Sequence, residues 1–131
     1  MRPIVLRFDE LEVLDPGTGV VSRLLVHNGL GSERLTTGIT TFAPGAAIAS
    51  HWHNCDESVV VVAGQATAEV DGALFAMGPY DATFVPAGLP HRFLNRSDAP
   101  MTILWIYAAG KVTRTFAATG VTVDHLQVAT P

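Results

Sequence analysis

Two of the five histidines in this chain, His51 and His53, are separated by a single residue. On an extended strand alternate side chains point the same way, so both imidazoles can reach one point. Glu57 follows at an even spacing, and its carboxylate returns to that side if the chain stays extended or turns gently through Asn54-Cys55-Asp56. A second segment, opened by the turn residues Pro86-Ala87-Gly88, brings His91 in a comparably apolar strand context. Three neutral imidazoles and a carboxylate make a nitrogen-rich set. It suits one divalent transition metal (Fe, Mn, Ni, Co, Cu or Zn) rather than Mg or Ca, which prefer all-oxygen shells. Among the six the set does not discriminate. Four protein ligands on an octahedral ion leave two positions for water, substrate or dioxygen, whereas a structural zinc site is closed and rich in Cys. An HxH pair taken alone is as readily two surface or core-edge histidines, so the case rests on all four residues.

What must position them is a set of short strands. Turn residues recur at short intervals: Asp15-Pro16-Gly17, Asn28-Gly29, Pro44-Gly45, Asp71-Gly72, Gly78-Pro79, and Pro86 with Gly88. Between them lie segments rich in Val, Ile, Thr, Leu and Phe, which predict strands over 39–42, 59–62, 83–85 and 102–107. Asp71-Gly72, between 67–70 and 73–77, has the composition of a two-residue hairpin turn with positive φ. No stretch reads as a long amphipathic helix, and many short strands at this spacing indicate an all-β antiparallel sandwich or barrel. Several strands are apolar on both alternations: Val59 and Val61 fall on one face, Val60 and Val62 on the other. Both faces need cover, which leads to the expectation of a homodimer.

The stretch from Gly45 to Asn95 resembles the two signature motifs of the cupin superfamily. The first appears as Gly45, five residues, His51-Trp52-His53, three residues, Glu57, six residues, Gly64. The second appears as Pro86-Ala87-Gly88, two residues, His91, three residues, Asn95, preceded by Asp81. Tyr80 stands where the family usually has a glycine, which bears on the local turn and not on the ligands. The resemblance implies a cupin-like antiparallel β-barrel, that is, a double-stranded β-helix or jelly roll. It would occupy residues 1–131 as a single domain, with metal-site motifs at 45–64 and 80–95. It also implies a metal held by His51, His53, Glu57 and His91. The short gap between the motifs is like that of the small single-domain microbial members. Beside the resemblance, Gly45, Gly64 and Gly88 can take positive φ or admit close backbone approach, Pro86 presets a turn, and Asn95 can hydrogen-bond a strand end.

Other residues carry weaker signals. Tyr107 is the nearby candidate proton donor, with Glu57 able to move a proton as well. Cys55 is not read as a redox thiol, since Asp56 and Glu57 would raise its pKa. His27 is assigned to a strand end beside a turn and His125 to a C-terminal tail; neither is expected to be a ligand. Phe42, Phe84, Phe93, Trp105 and Tyr107 are expected in the core or at an interface, some lining the metal pocket. Arg92 and Arg96 are expected to face solvent or a subunit neighbour.

Composition narrows the function. A chain of 131 residues with 48% hydrophobic and 15% charged residues suits one folded core. The net charge of −4 and eight scattered basic residues argue against nucleic acid as a partner. A lone cysteine permits no internal disulfide, the N-terminus is interrupted by Arg7, Asp9 and Glu10, and no apolar run reaches membrane-spanning length. The expected setting is the cytoplasm, with no membrane partner. Fold does not name reaction. The first expectation is a dioxygenase-like enzyme acting on a small, largely apolar metabolite that chelates the metal through oxygen. The alternatives are an oxygen-independent isomerase, cyclase or lyase, and a non-catalytic metabolite-binding module. Sugar phosphates fit poorly, because a phosphate clamp needs several converging cations and Lys111 is the sole lysine.

Overall fold

The computed structural model describes residues 2–125. Within them the β-branched and aromatic segments form, in chain order, β1 (Val20–Leu24), β2 (Thr36–Phe42), β3 (His51–His53), β4 (Glu57–Ala63), β5 (Ala66–Val70), β6 (Ala73–Met77), β7 (His91–Leu94), β8 (Met101–Tyr107), β9 (Thr113–Phe116) and β10 (Thr122–Asp124). They pair antiparallel into a four-stranded sheet, β1-β2-β8-β4, and a six-stranded sheet, β10-β9-β3-β7-β5-β6. The inner faces of the two sheets pack on each other in one apolar cluster, with Phe42, Val59, Ile103 and Trp105 from the first meeting Ala68, Met77 and Phe93 from the second. This is the expected all-β jelly-roll barrel. No described helix is long and apolar enough to cross a membrane.

Alternation decides what faces inward. In β8, Met101, Ile103, Trp105 and Tyr107 are all fully buried, while Thr102, Leu104 and Ile106 are half-buried on the outer face. Each such large apolar side chain contributes about 1.5–3 kcal/mol by leaving water. Trp105 also fixes the spacing to its neighbour strand. It lies over Gly38, its partner across the β2–β8 ladder, where a Cβ would sit 2.0 Å from the indole ring. The indole N–H donates to Thr40 Oγ1 at 2.8 Å, and that hydroxyl pairs with Ser22 Oγ at 2.7 Å, so the polar edge of the ring is satisfied.

Turn chemistry is largely as read from the sequence. Asp71 and Gly72 have φ of 49° and 83°, the two positive values of a tight hairpin turn joining β5 to β6. Asn95 ends β7 by donating to the carbonyls of Phe42, Ala43 and Ala99 and accepting from the Ser97 N–H. Tyr80, at the family's glycine position, adopts φ 71° with its side chain 83% exposed.

One expectation is corrected. Residues 83–85 do not form a regular strand. They run beside β4 through isolated bridges and the hydrogen bonds between Val85 and Glu57, because Pro86 and the turn at 79–81 leave too few residues for a ladder. Phe84 is accordingly 71% exposed, which leaves the interface alternative for this residue.

Candidate metal centre

Register carries the site. β3 lies between β7 and β9, with His51 opposite His91 and His53 opposite Arg114. Directly opposed residues of an antiparallel pair share a face, so four nitrogen side chains project inward from the six-stranded sheet. On the facing sheet Glu57 opens β4 opposite Tyr107 of β8. Exposure is 0% for His51, 2% for His53, Glu57 and His91, 0% for Tyr107 and 3% for Arg114.

Each imidazole is oriented by the backbone. Nδ1 of His51, His53 and His91 lies 2.7, 3.0 and 3.0 Å from the carbonyls of Ala49, Thr113 and Leu89. A carbonyl only accepts, so Nδ1 carries the proton and Nε2 keeps its lone pair. All three Nε2 atoms are buried with no partner other than the Glu57 carboxylate, and the three residues offer ligand atoms within 4.8 Å of one another. Buried, unpaired acceptors aimed at a common centre are costly unless a cation takes them up. His51, His53 and His91 can therefore hold a metal ion. The Glu57 carboxylate adjoins them, with Oε1 3.0 Å from His91 Nε2 and Oε2 3.5 Å from His53 Nε2.

The protonation states follow from burial and from two opposite charges. Burial, then Arg114 and the neighbouring imidazoles, push His51 far below the usual histidine range. Burial also lowers His53, to about 4, with Glu57 opposing and Arg114 reinforcing. For Glu57 burial alone would raise the carboxyl, but the hydrogen bond and charge of His91 outweigh it and hold the group below its usual value. His91 is the reverse: burial lowers it, and Glu57 overcomes burial and raises it. A proton thus competes with a cation for the atoms that Glu57 and His91 share. Burial and the Glu57 charge hold the Tyr107 phenol well above its ordinary value, so it stays protonated.

Two residues beside this centre were not legible as such. His125, assigned from sequence to a tail, is fully buried. Its ring centroid lies 4.8 Å from Tyr107, 5.0 Å from Trp105 and 5.7 Å from His53. Burial, with Arg114 and His53, lowers it to about 2, so it is neutral. Arg114 sits among Thr residues in a short polar strand, a pattern that reads equally as a solvated edge.

Away from the centre, Cys55 is buried and its thiol is pushed up to about 11 by burial and Glu57, consistent with an inert thiol. His27 caps the 3-10 turn Asn28–Leu30 by accepting from the Gly29 N–H. Arg92 pairs with Glu69 on the outer face and Arg96 is exposed. A cleft of about 810 Å³, lined among others by Asn28, Glu33, Arg34 and Lys111, contains no metal-ligating set and lies apart from the histidines. A hollow of about 440 Å³ touches His53 together with Trp52, Asn54, Gly88 and Thr113, at the β3–β9 rim.

Residues 38–107 match the cupin domain family. No curated protein sequence matches the chain. Among solved structures, an RmlC-like cupin from Shewanella frigidimarina is 20% identical with a TM-score of 0.72, over 82% of this chain and 92% of that one. A sugar phosphate isomerase of the cupin superfamily from Silicibacter pomeroyi is 24% identical with a TM-score of 0.70, over 92% of both chains. The polyketide cyclase RemF from Streptomyces resistomycificus is 17% identical with a TM-score of 0.73, over 91% of this chain and 89% of that one. At these identities the structural likeness carries the fold. The family match spans more than half of the chain and includes His51, His53, Glu57 and His91, so this protein belongs to the cupin family.

Proposed function

We propose that this cupin is a metal-dependent enzyme acting on a small metabolite that chelates the metal through oxygen, with His51, His53, Glu57 and His91 as the ligands. The observation that carries it is the set of three buried imidazoles, each with Nδ1 committed to a carbonyl and Nε2 aimed at a shared centre beside a carboxylate. A metal bound there supplies a Lewis acid for charge that develops on a substrate oxygen. The chain's own groups supply the proton chemistry. Tyr107 is held protonated opposite Glu57, placed to donate a proton, and Glu57 is placed to hold one.

That pairing favours oxygen-independent isomerase, cyclase or lyase chemistry over the dioxygenase-like reaction expected first from the sequence. Two structural relatives named as an isomerase and a cyclase support the same choice. The dioxygenase reading rests on a different observation: the fully buried Phe42, Phe93 and Trp105 provide an apolar enclosure of the kind that shields oxygen chemistry from water. Turnover of diketones, flavonols and catechols by metal-loaded protein, with and without air, separates the two. Product formed anaerobically supports proton chemistry, and strict dependence on air supports oxygenation. Ligand binding without any product in either atmosphere reduces the protein to a metabolite-binding module.

The proposal extends to a homodimer in a reducing compartment. Edge strand β6 leaves Leu74 and Phe75 more than half exposed, and the chain that follows adds Tyr80 and Phe84. An unpaired apolar edge of this kind is what a second copy would cover. The lone thiol of Cys55 needs no oxidising environment.

A further inference from the structure

His125 is a buried polar group that the proposed metal centre does not use. Its ring meets three others at steep angles: Tyr107 at 4.8 Å and 72°, Trp105 at 5.0 Å and 79°, and His53 at 5.7 Å and 78°. Trp105 and Tyr107 belong to β8 of one sheet and His53 to β3 of the other, so the imidazole is wedged between the two. The residue is fully buried, and neither ring nitrogen has a hydrogen-bond partner. The Tyr107 hydroxyl is committed to Glu57 instead.

An imidazole held this way fills space without using its chemistry. An apolar side chain would pack there without two desolvated nitrogens, so the seated position is weakened by its own occupant. Its anchorage is light as well. β10, which leads into His125, is a three-residue edge strand that pairs in its sheet with β9 alone and leaves Thr122 and Asp124 exposed. Short exposed elements of this kind open locally at low cost. The centre needs such an opening, because none of the four proposed ligands is more than 2% exposed and a metabolite must reach them from outside. The space that His125 would vacate has the size of a ring and stands close to the centre. Its 5.7 Å from the His53 ring is little more than the 4.6–5.3 Å that separate the rings of His51, His53 and His91 from one another. Aromatic neighbours at these distances favour a planar π-system over a saturated chain.

We propose that His125 is a displaceable stopper, and that the slot it fills between Trp105, Tyr107 and His53 takes a small planar ring compound whose adjacent oxygens chelate the metal. This rests on the metal-centre reading above and names the substrate class of that site together with the step that admits it. With His125 seated the slot is closed. The ring compound enters as β10 carries the imidazole out, so its apparent affinity is the intrinsic affinity multiplied by the fraction of molecules that are open.

The test uses the full chain loaded with Co²⁺ and follows its visible absorption during titration with 1-hydroxypyridin-2-one, a planar ring, or with N-methylacetohydroxamate, which offers the same oxygen pair on an open chain. His125→Ala removes the stopper and is expected to tighten the ring compound at least about tenfold, as for a slot open in about a tenth of molecules or fewer. The open-chain compound, with no ring to seat, is expected to change by less than about threefold. His125→Phe fills the slot with a ring that buries no nitrogen and should weaken the ring compound at least about tenfold. Equal gains for the two probes in His125→Ala would show a stopper that bars every ligand alike and would overturn the ring slot. Weaker ring binding in His125→Ala would overturn the proposal by showing that His125 holds the ligand rather than yielding to it, and so would absence of ring binding in both wild type and His125→Ala. If His125→Ala does not fold, unchanged ring affinity in His125→Phe overturns it instead. Failure of the wild type to take up Co²⁺ would sink the metal reading. The slot is then decided separately on the metal-free protein, where imidazole should raise the melting temperature of His125→Ala but not of the wild type, and an equal response in both overturns it.

Discussion

A histidine becomes a metal ligand when one ring nitrogen is occupied by a fixed acceptor and the other has nowhere to go but the centre. His51, His53 and His91 meet both conditions through the carbonyls of Ala49, Thr113 and Leu89. Protein purified without added metal is expected to carry about one metal equivalent per chain by mass spectrometry. His91→Ala should lose it, and Glu57→Gln should weaken Co²⁺ affinity by at least about tenfold, about 1.4 kcal/mol. The same residues shape acid sensitivity in the metal-free protein. His53 and His125 have folded values near 4 and 2 against an ordinary 6.5, so the unfolded chain binds protons that the folded chain refuses. Stability from these groups is present above pH 6.5 and is lost as the pH falls toward those lower values, each contributing a slope of up to about 1.4 kcal/mol per pH unit. His91 works oppositely, since its raised value favours the folded state at lower pH, but His51, His53 and His125 outnumber it. Urea midpoints should therefore fall from pH 7 to pH 5, and His125→Gln should flatten the slope. A midpoint independent of pH would show that these imidazoles are hydrated.

At the scale of the element, close approach and turn strain are the levers. Gly38→Ala would drive a Cβ into Trp105 and displace an indole that donates to Thr40. A destabilisation of about 2–4 kcal/mol is expected from overpacking together with the lost hydrogen bond. Tyr80 is the reverse case. Its left-handed φ of 71° costs a non-glycine residue about 1–2 kcal/mol, and its exposed ring has little packing to lose. Tyr80→Gly gains that back less about 0.4–1 kcal/mol of added unfolded-state freedom, so a rise in melting temperature of up to a few degrees is expected in calorimetry. The hairpin at Asp71-Gly72 and the histidine-bearing strands β3 and β7 were readable from turn residues and alternation. The segment 83–85 was not, because its β-branched and aromatic composition is that of a strand while its backbone is confined between two turns.

For the whole molecule, two sheets must be held together around a buried polar centre. A metal in the proposed site would take up three imidazole lone pairs and a carboxylate, so chelation should lower the melting temperature. A ligand at a hundred times its dissociation constant contributes about 2.7 kcal/mol, and that contribution disappears with it. The apolar edge at β6 makes a separate prediction. Phe75→Lys, which charges that edge while leaving the interior untouched, should convert a dimer in sedimentation to a monomer with unchanged metal content. A wild-type protein that sediments as a monomer would remove the dimer from the account and leave the metal centre as it stands.

The four proposed ligands were legible because a strand repeats every two residues: His51 and His53 share a face wherever that strand sits, and His91 and Glu57 recur at fixed distances from turn residues. Arg114 and His125 were not, although both lie beside the same centre. Their position depends on β9 pairing with β3 in the register that sets Arg114 against His53, and on His125, directly after β10, packing against Tyr107. A shift of one residue in that pairing would turn Arg114 outward to water with no change in the sequence. Local periodicity therefore determined the half of the site proposed to bind metal, and long-range strand pairing decided which polar groups stand beside it.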